Sequence, residues 1–237
     1  MSQTPSSRQD TPAPAAADAL SRQRASSVAA IEATGVVAII RTKDPARVRD
    51  IVDALARGGV KTLEITMTVP GAIEAIRAVS QSLPEGILLG AGTVLDASTA
   101  HRVIDAGARF VVAPILDLET IAACHERGVP MMPGCYTPTE MWQAWRAGAD
   151  VIKVFPATTL GPGYLKDIAA PLPQLKLLPT GGVTPENAGT WITAGAVAVG
   201  IGSALVDNKA IAAGDFGKIE AAARLVIANV KAARAVL

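Results

Sequence analysis

Short apolar runs alternate along this chain with longer segments in which apolar residues recur at helical spacing. In one such segment Val48, Ile51 and Leu55 share a single face of a predicted helix. Regular alternation of strands and helices is typical of an α/β fold with a parallel sheet. Eight runs are predicted as strands: Val36 to Arg41, Thr62 to Thr66, Leu88 to Ala91, Phe110 to Ala113, Met131 to Pro133, Val151 to Phe155, Lys176 to Thr180 and Ala198 to Ile201.

Glycine marks the ends of the helical segments at repeated intervals. Ala-Gly-Ala stands at 106–108, 147–149 and 194–196, and Arg-Gly-Val at 127–129, each shortly before a predicted strand. The spacing is about 20 residues or roughly double that, which matches one or two strand–helix units. We therefore predict a (β/α)8 TIM barrel over residues 25–237. An open doubly wound sheet is the alternative, but no G-x-G-x-x-G follows the first strand.

Residues 1–24 are rich in Ser, Thr, Pro, Ala and Gln and lack the apolar core of a signal peptide. We predict a flexible tail here, with helix allowed from about Ala16. The chain shows no apolar run long enough to span a membrane, so no membrane association is expected. Cys124 and Cys135 form no C-x-x-C pair and are too few for a disulfide framework. This favours buried structural cysteines in a cytoplasmic protein.

The chain is nearly neutral, since 22 Lys and Arg oppose 21 Asp and Glu in 237 residues, and aromatic residues make up only 3%. A nucleic-acid-binding surface needs a basic excess or aromatic stacking platforms, so we exclude nucleic acid as a partner. Any anionic ligand must then be held by a few local groups. His101 and His125 both fall in predicted helices, which leaves a metal site without its usual imidazole ligands, and we expect neither a metal nor a cofactor.

Two charged residues interrupt strands that should be apolar on both faces. Lys153 alternates with Ile152 and Val154, and it points into the barrel if those two pack against helices. Burial lowers the pKa of an amine and leaves a nucleophile that can form a Schiff base with a carbonyl. Glu64 faces the same interior from the second strand and suits the general acid/base role that this chemistry needs. A structural ion pair between the two residues is the alternative.

Candidate anion-binding groups follow three of the predicted strands. Arg41 ends the first strand, and TIM-barrel enzymes have their active sites at this C-terminal end of the strands. Its planar guanidinium group suits a carboxylate ligand. The last two strands run into glycines, at 180–182 and 200–203, and Thr184 with Pro185 predicts that a helix starts just after the first of these. Backbone N–H groups in such loops hold phosphate in many barrels. We therefore predict a phosphate site, although ordinary turns would explain either glycine pair alone.

Five motifs occur in order between about Val28 and Val206: Leu63-Glu64-Ile65-Thr66, Gly90-Ala91-Gly92-Thr93-Val94, Pro133-Gly134 with Thr137-Pro138-Thr139-Glu140, Ile152-Lys153-Val154-Phe155-Pro156, and Pro179-Thr180-Gly181-Gly182-Val183. Together they resemble the class I aldolases that act on 2-dehydro-3-deoxy-6-phosphogluconate (KDPG) or 4-hydroxy-2-oxoglutarate (KHG). The second and fourth motifs are the most specific of the five, whereas the last one alone is not.

The resemblance implies a homotrimer of (β/α)8 barrels in which Lys153 forms a Schiff base with pyruvate or the 2-oxo acid and Glu64 moves protons. The implied activity is reversible cleavage of KDPG to pyruvate and glyceraldehyde 3-phosphate, with no metal or cofactor. The implied walls of the pyruvate pocket are Thr93, Pro114 and Phe155. The residues expected around the phosphate are Thr180, Gly181, Gly182, Gly202 and Ser203.

Other functions remain open from the sequence. Within the family, the substrate could be 2-dehydro-3-deoxy-6-phosphogalactonate or KHG, and Thr180 and Ser203 favour the gluconate compound. A different phosphate-binding barrel, such as an epimerase or thiamin phosphate synthase, would share the glycine loops without needing Lys153. A noncatalytic phosphometabolite-binding paralogue is a further alternative, and the combination of Lys153 with Glu64 argues against it.

Three positions depart from patterns common in these aldolases. Some members carry an arginine where this chain has Thr68, and that arginine binds the pyruvate carboxylate. In members that resemble this chain more closely, an arginine ends the first strand, which assigns the carboxylate to Arg41. Ile115 stands where many members have glycine, and Tyr136 replaces a smaller residue. These differences affect the shape of the pocket and hence the preferred substrate.

Overall fold

The computed structural model describes residues 14–237, which form an α/β fold with a curled parallel sheet. The helices are α1 (Pro14–Thr34), α2 (Val48–Arg57), α3 (Ala72–Ser80), α4 (Ala97–Asp105), α5 (Leu118–Glu126), α6 (Pro138–Arg146), α7 (Gly161–Ala169), α8 (Ala188–Thr193), α9 (Asn208–Ala213) and α10 (Phe216–Arg234). The strands are β1 (Val36–Ile40), β2 (Thr62–Thr66), β3 (Leu88–Gly92), β4 (Val111–Val112), β5 (Met131–Met132), β6 (Gly134–Cys135), β7 (Ile152–Val154), β8 (Leu177–Pro179) and β9 (Val199–Ile201). Short 3-10 turns span Pro45–Arg47 and Ala157–Thr159.

The strands pair in parallel in the orders β5-β4-β3-β2-β1-β9 and β6-β7-β8. Every predicted strand overlaps an observed one, with β3 one residue longer than predicted, so the alternation of elements is confirmed. The fifth prediction, Met131 to Pro133, contains β5 but not β6, which begins after Pro133, a residue with no N–H to donate to a neighbouring strand. Between β8 and β9, isolated bridges join Leu177 to Ala196 and Thr180 to Gly200.

Side chains alternate between the convex and concave faces of the sheet. Ile152 and Val154 of β7 belong to the large apolar cluster that the sheet shares with the surrounding helices. Val151 belongs to a second cluster, which it forms with residues of other strands such as Val37 and Val112. The predicted alternation is therefore confirmed, and Lys153 shares the concave face with Val151.

Helix α1 covers the N-terminal end of the concave face. Ile31 is fully buried and packs in the concave-face cluster with residues near the strand starts, including Val37 and Ala198. An ion pair also connects this helix with the rest of the domain: Arg24 Nε lies 3.4 Å from Asp150 Oδ2. Helix α1 begins at Pro14, close to the helix start expected at about Ala16, and the flexible tail over residues 1–24 stays a prediction. Residues 1–13 of that predicted tail lie outside the described residues.

Two local predictions concern the ends of helices. Gly107 and Gly195, which follow α4 and α8, have φ angles of 112° and 102°, as expected for glycine beyond a helix end. The predicted helix start at Pro185 is wrong, because α8 begins at Ala188. Thr184 instead exchanges hydrogen bonds with Asn187: its N–H donates to Asn187 Oδ1 at 2.8 Å, and its Oγ1 accepts from the Asn187 N–H at 3.3 Å.

The structure also bears on the cysteines and on membrane association. Cys124 and Cys135 are buried free thiols, as predicted, and burial raises the pKa of each to about 12. Within residues 14–237, no helix combines the length and apolar character needed to cross a bilayer.

Candidate active site

Lys153 lies at the centre of β7, in register with Gly134 of β6 and Leu178 of β8. Its side chain is buried on the concave face, and Nζ lies 4.6 Å from the centroid of the Phe155 ring. Burial lowers the pKa of Lys153 below the usual 10.5 of lysine, while the Glu64 carboxylate opposes this shift and Arg41 adds to it. A lowered pKa increases the fraction of neutral amine, which is the nucleophilic form.

Glu64 lies at the centre of β2, flanked in register by Ile39 of β1 and Gly90 of β3. It is 2% exposed, and burial raises the pKa of its carboxyl group, while the positive charges of Lys153 and Arg41 oppose the shift. A raised pKa keeps a proton on the carboxyl group to a higher pH, which suits a group that both gives and takes protons.

Glu64, Lys153 and Arg41 form one electrostatic group. Arg41 influences the pKa of both buried residues although its own side chain is exposed. Among residues 14–237, the ion pairs within 4.0 Å do not include one between Glu64 and Lys153. The structural ion pair that the sequence left open is therefore absent from this arrangement. Glu64 and Lys153 are thus two buried ionisable groups on the same concave face.

A cavity of about 360 Å³ opens at the C-terminal ends of β1, β8 and β9. Phe155 belongs to its wall and also contacts Lys153, so its ring connects the cavity with the buried amine. The other lining residues are Ile39, Arg41, Thr180, Gly181, Gly182, Val183, Thr184, Gly200, Gly202, Ser203, Ala204, Val206 and Asn208. The structure thus brings together the predicted carboxylate ligand, one predicted pyruvate-pocket wall and all the predicted phosphate residues.

Backbone donors and one hydroxyl group are available in this cavity. The N–H groups of Gly181, Gly182 and Ser203 donate to no acceptor within residues 14–237. Gly181 and Gly182 have φ angles of 96° and 73°, a backbone conformation that residues other than glycine rarely adopt. Thr180 Oγ1 is buried and has no hydrogen-bond partner in the described chain. Unused N–H and O–H donors around a concave space suit an anion with several oxygens.

Thr93 and Pro114 stand directly beyond β3 and β4, at the same end of the sheet, but they do not line the 360 Å³ cavity. Thr93 has a φ of 59°, which is unusual for a β-branched residue and marks local backbone strain. Pro114 lies close to β6, because a Cβ added at Gly134 would lie 2.3 Å from the Pro114 carbonyl carbon. Their role as walls of a pyruvate pocket stays a prediction.

The sequence reasoning missed several cavity residues that come from outside the predicted strand ends. Val206 and Asn208 approach from the segment at the start of α9, and Thr184 from the turn before α8. Nothing in the spacing of these residues separates them from ordinary loop positions. The prediction that His101 and His125 lie in helices is confirmed, and residues 14–237 contain no group of three or more His, Cys, Asp or Glu placed to hold a metal ion.

Comparison with known proteins agrees with this arrangement. The family model described as KDPG and KHG aldolase matches residues 28–222. The chain belongs to this family. The 2-dehydro-3-deoxy-phosphogluconate aldolase of Treponema pallidum (strain Nichols) is 36% identical over 196 residues, which are 81% of this chain and 91% of that protein. The 2-dehydro-3-deoxy-6-phosphogalactonate aldolase of Escherichia coli (strain K12) is 35% identical over 171 residues, 72% of this chain and 83% of that protein.

Solved structures support the same assignment for this KDPG/KHG-family aldolase. The KDPG aldolase from Legionella pneumophila, determined with pyruvate captured at low pH as a covalent carbinolamine intermediate, matches with a TM-score of 0.78 at 31% identity. The match covers 84% of this chain and 97% of that one. Fold and sequence together make this chain an aldolase, a lyase that breaks carbon–carbon bonds.

Proposed function

We propose that this aldolase cleaves KDPG reversibly to pyruvate and glyceraldehyde 3-phosphate through a Schiff base on Lys153. One observation carries the proposal: Lys153 and Glu64 are buried together on the concave face, and Phe155 connects them with a cavity that contains Arg41 and two glycine loops. The sequence match to KDPG aldolases supports the choice of substrate.

The covalent steps use Lys153 as nucleophile. Its neutral Nζ attacks C2 of the 2-oxo acid, and loss of water gives a protonated imine that acts as the electron sink. Glu64 accepts the proton of the C4 hydroxyl group, directly or through a water molecule, as the C3–C4 bond breaks and the aldehyde leaves. Protonation of the resulting enamine at C3 and hydrolysis of the imine release pyruvate and restore the amine.

The ends of the substrate are anionic, and different groups hold them. The guanidinium of Arg41 suits the carboxylate next to the reacting carbonyl, because its planar fork can donate to both oxygens. The free N–H groups of Gly181, Gly182 and Ser203, with the Thr180 hydroxyl, suit the phosphate. In the same proposal, Gly202 lets the backbone approach the phosphate, and Thr93, Pro114 and Phe155 enclose the pyruvate portion.

Two related substrates are second candidates. The similarity to a 2-dehydro-3-deoxy-6-phosphogalactonate aldolase favours the galactonate epimer, and the family assignment also includes KHG. Thr68 is exposed beside β2, at the position where some family members carry an arginine, so the shape of this pocket bears on the choice among the three substrates. Pyruvate release from KDPG, its galactonate epimer and KHG under identical conditions ranks the three by kcat/KM.

Further features of the protein belong to this proposal. Only Pro133 separates β5 from β6, and the bridges at Leu177 and Thr180 connect the β8 and β9 segments, which supports closure into a (β/α)8 barrel. The family resemblance supports a homotrimer, which light scattering would test against the 24.2 kDa mass of one chain. The free thiols support a cytoplasmic location.

Reductive trapping tests the central claim. Incubation with pyruvate and borohydride should convert the imine to a stable secondary amine, which peptide mass spectrometry would find on Lys153. A folded protein that gives no adduct at Lys153, or gives one only at exposed lysines, would exclude the Schiff-base assignment. The Lys153→Ala variant should form no adduct at this peptide and should not cleave KDPG.

A further inference from the structure

Tyr136, which directly follows β6, contacts three neighbouring elements at the C-terminal end of the sheet. Its N–H donates to Glu140 Oε2 of α6 at 2.8 Å, and its carbonyl accepts from the Tyr164 hydroxyl of α7 at 2.5 Å. Its own hydroxyl lies 3.2 Å from Thr159 Oγ1. The side chain is 39% exposed, so burial of apolar area is not its main contribution. The N–H and the carbonyl of Tyr136 are thus both hydrogen-bonded, and its hydroxyl reaches the turn that contains Thr159.

That turn, Ala157–Thr159, packs against the glycine loop of the cavity. The Ala157 N–H donates to the Thr180 carbonyl at 2.9 Å. A Cβ added at Gly181 would lie 3.0 Å from Thr158 Oγ1, and one added at Gly182 would lie 3.0 Å from Thr158 Cα. The turn and the glycine loop are therefore in van der Waals contact, with no space for a side chain between them. A displacement of the turn changes the support of Gly181 and Gly182.

We propose that Tyr136 is a positioning residue for the phosphate end of the substrate. The hydrogen bond from its hydroxyl to Thr159 fixes the position of the turn Ala157–Thr159. That turn packs against Gly181 and Gly182 and keeps their N–H groups directed at the anion. This role rests on the phosphate assignment of the proposed function. It predicts that loss of the Tyr136 hydroxyl weakens recognition of the phosphate and leaves the chemistry at Lys153 unchanged.

The variant Tyr136→Phe keeps the ring and removes only the hydroxyl group. We expect its KM for KDPG to rise about threefold to tenfold, the range of one net hydrogen bond. The KM for unphosphorylated 2-dehydro-3-deoxygluconate should not change, nor should the rate at which solvent deuterium enters C3 of pyruvate. The inhibition constant of inorganic phosphate should rise by the same factor as the KM for KDPG. Thermal unfolding confirms that each variant is folded.

A double-mutant cycle separates this role from a general weakening of the fold. Thr159→Val should have the same effect as Tyr136→Phe, and the double variant should be no worse than either single variant, because one contact is lost in all three. Trp142→Phe is the matched control: Trp142 is an exposed aromatic residue of α6 that stacks on Trp145, at a centroid distance of 4.9 Å. Its kinetic constants should equal those of the wild type.

Two results would overturn the inference in distinguishable ways. If the wild type prefers KDPG over the unphosphorylated analogue but Tyr136→Phe alters neither KM, or both equally, then Tyr136 does not position the phosphate loop. If the wild type itself shows no preference for the phosphorylated compound and no inhibition by phosphate, then the phosphate assignment fails and the role of Tyr136 fails with it.

Discussion

The Glu64 carboxylate occupies the space that a side chain at position 92 would need. Glu64 and Gly92 lie on the neighbouring strands β2 and β3, and a Cβ built on Gly92 would lie 1.6 Å from Glu64 Oε1. The φ angle of Gly92 is not positive, so glycine is required here for space and not for backbone conformation. The buried carboxylate of Glu64 therefore requires glycine at position 92.

The first prediction follows from this contact. Gly92→Ala should displace the Glu64 carboxylate, lower kcat for KDPG cleavage at least about tenfold, and destabilise the protein by about 1–3 kcal/mol. Gly163→Ala in α7 is the control, because a Cβ added there meets nothing within 4 Å. Steady-state kinetics and denaturant unfolding give both quantities. Wild-type kcat in a folded Gly92→Ala protein would show that the position of Glu64 does not matter for the reaction.

The second prediction concerns the cost of burying Lys153. Lys153→Met keeps most of the side-chain volume and removes the amine, so cleavage should be lost while the free energy of unfolding stays equal or rises. The physical reason is that desolvation of the amine opposes folding, as its lowered pKa indicates. Urea unfolding measures the stability. A loss of several kcal/mol would mean that the ammonium group has a structural partner that stabilises the folded state.

The third prediction uses the opposite influences of two charges on Lys153. Arg41 lowers the pKa of Lys153 and Glu64 raises it, so Arg41→Gln should raise this pKa and Glu64→Gln should lower it. The measurement is the pH dependence of acetaldehyde adduct formation at Lys153 with cyanoborohydride, because acetaldehyde has no carboxylate for Arg41 to bind. The amine reacts when neutral, so the midpoint should move to higher pH in Arg41→Gln and to lower pH in Glu64→Gln. Shifts in the same direction would contradict this assignment.

The fourth prediction concerns the unpaired hydroxyl of Thr180. A buried hydroxyl without a partner costs about 1–3 kcal/mol, so the near-isosteric Thr180→Val should be as stable as the wild type or more stable by about 1 kcal/mol. Its KM for KDPG should nevertheless rise about threefold or more, because a donor to the phosphate is lost. Calorimetry and steady-state kinetics test the two effects. A less stable variant with an unchanged KM would place Thr180 in the structure of the loop instead of in phosphate binding.

The fifth prediction tests the contact between α1 and the concave face. Ile31 is fully buried in the concave-face cluster, so Ile31→Ala should cost about 2–4 kcal/mol of unfolding free energy. Leu225→Ala is the control, since Leu225 is 40% exposed on α10 and should cost much less. Chemical denaturation of both variants provides the comparison. Equal small losses would mean that α1 adds little to the stability of the folded chain.

The central pair of the site was predictable because strand geometry fixes the direction of side chains. A period of two residues places Lys153 opposite Ile152 and Val154, and it places Glu64 opposite its apolar neighbours, before any tertiary contact is known. The glycine loops were predictable for a related reason, since the carboxyl ends of parallel strands lie at one end of the sheet.

Other parts of the structure depend on contacts that local sequence does not encode. Composition predicts a flexible tail through residue 24, but it does not indicate that Ile31 of α1 packs against the concave face or that Arg24 pairs with Asp150. Asn208, at the start of α9, lines the same cavity as Arg41 at the end of β1, and no spacing rule indicates that position. The strain at Thr93 is likewise visible only as a backbone angle.

The position of α1 also determines how molecules enter and leave. Val28 and Ile31 pack at the N-terminal end of the concave face, and the cavity lined by Phe155 and Arg41 opens at the opposite end. The glycine loops at 181–182 and 202–203 line that opening, whereas Lys153 is buried and does not line it. In the proposed reaction, cleavage of the C3–C4 bond frees the phosphorylated aldehyde while pyruvate is still covalently bound to Lys153, so the aldehyde leaves first, past the glycine loops. With α1 packed at one end of the concave face, the cavity at the other end is the route that this reaction uses for substrate and products.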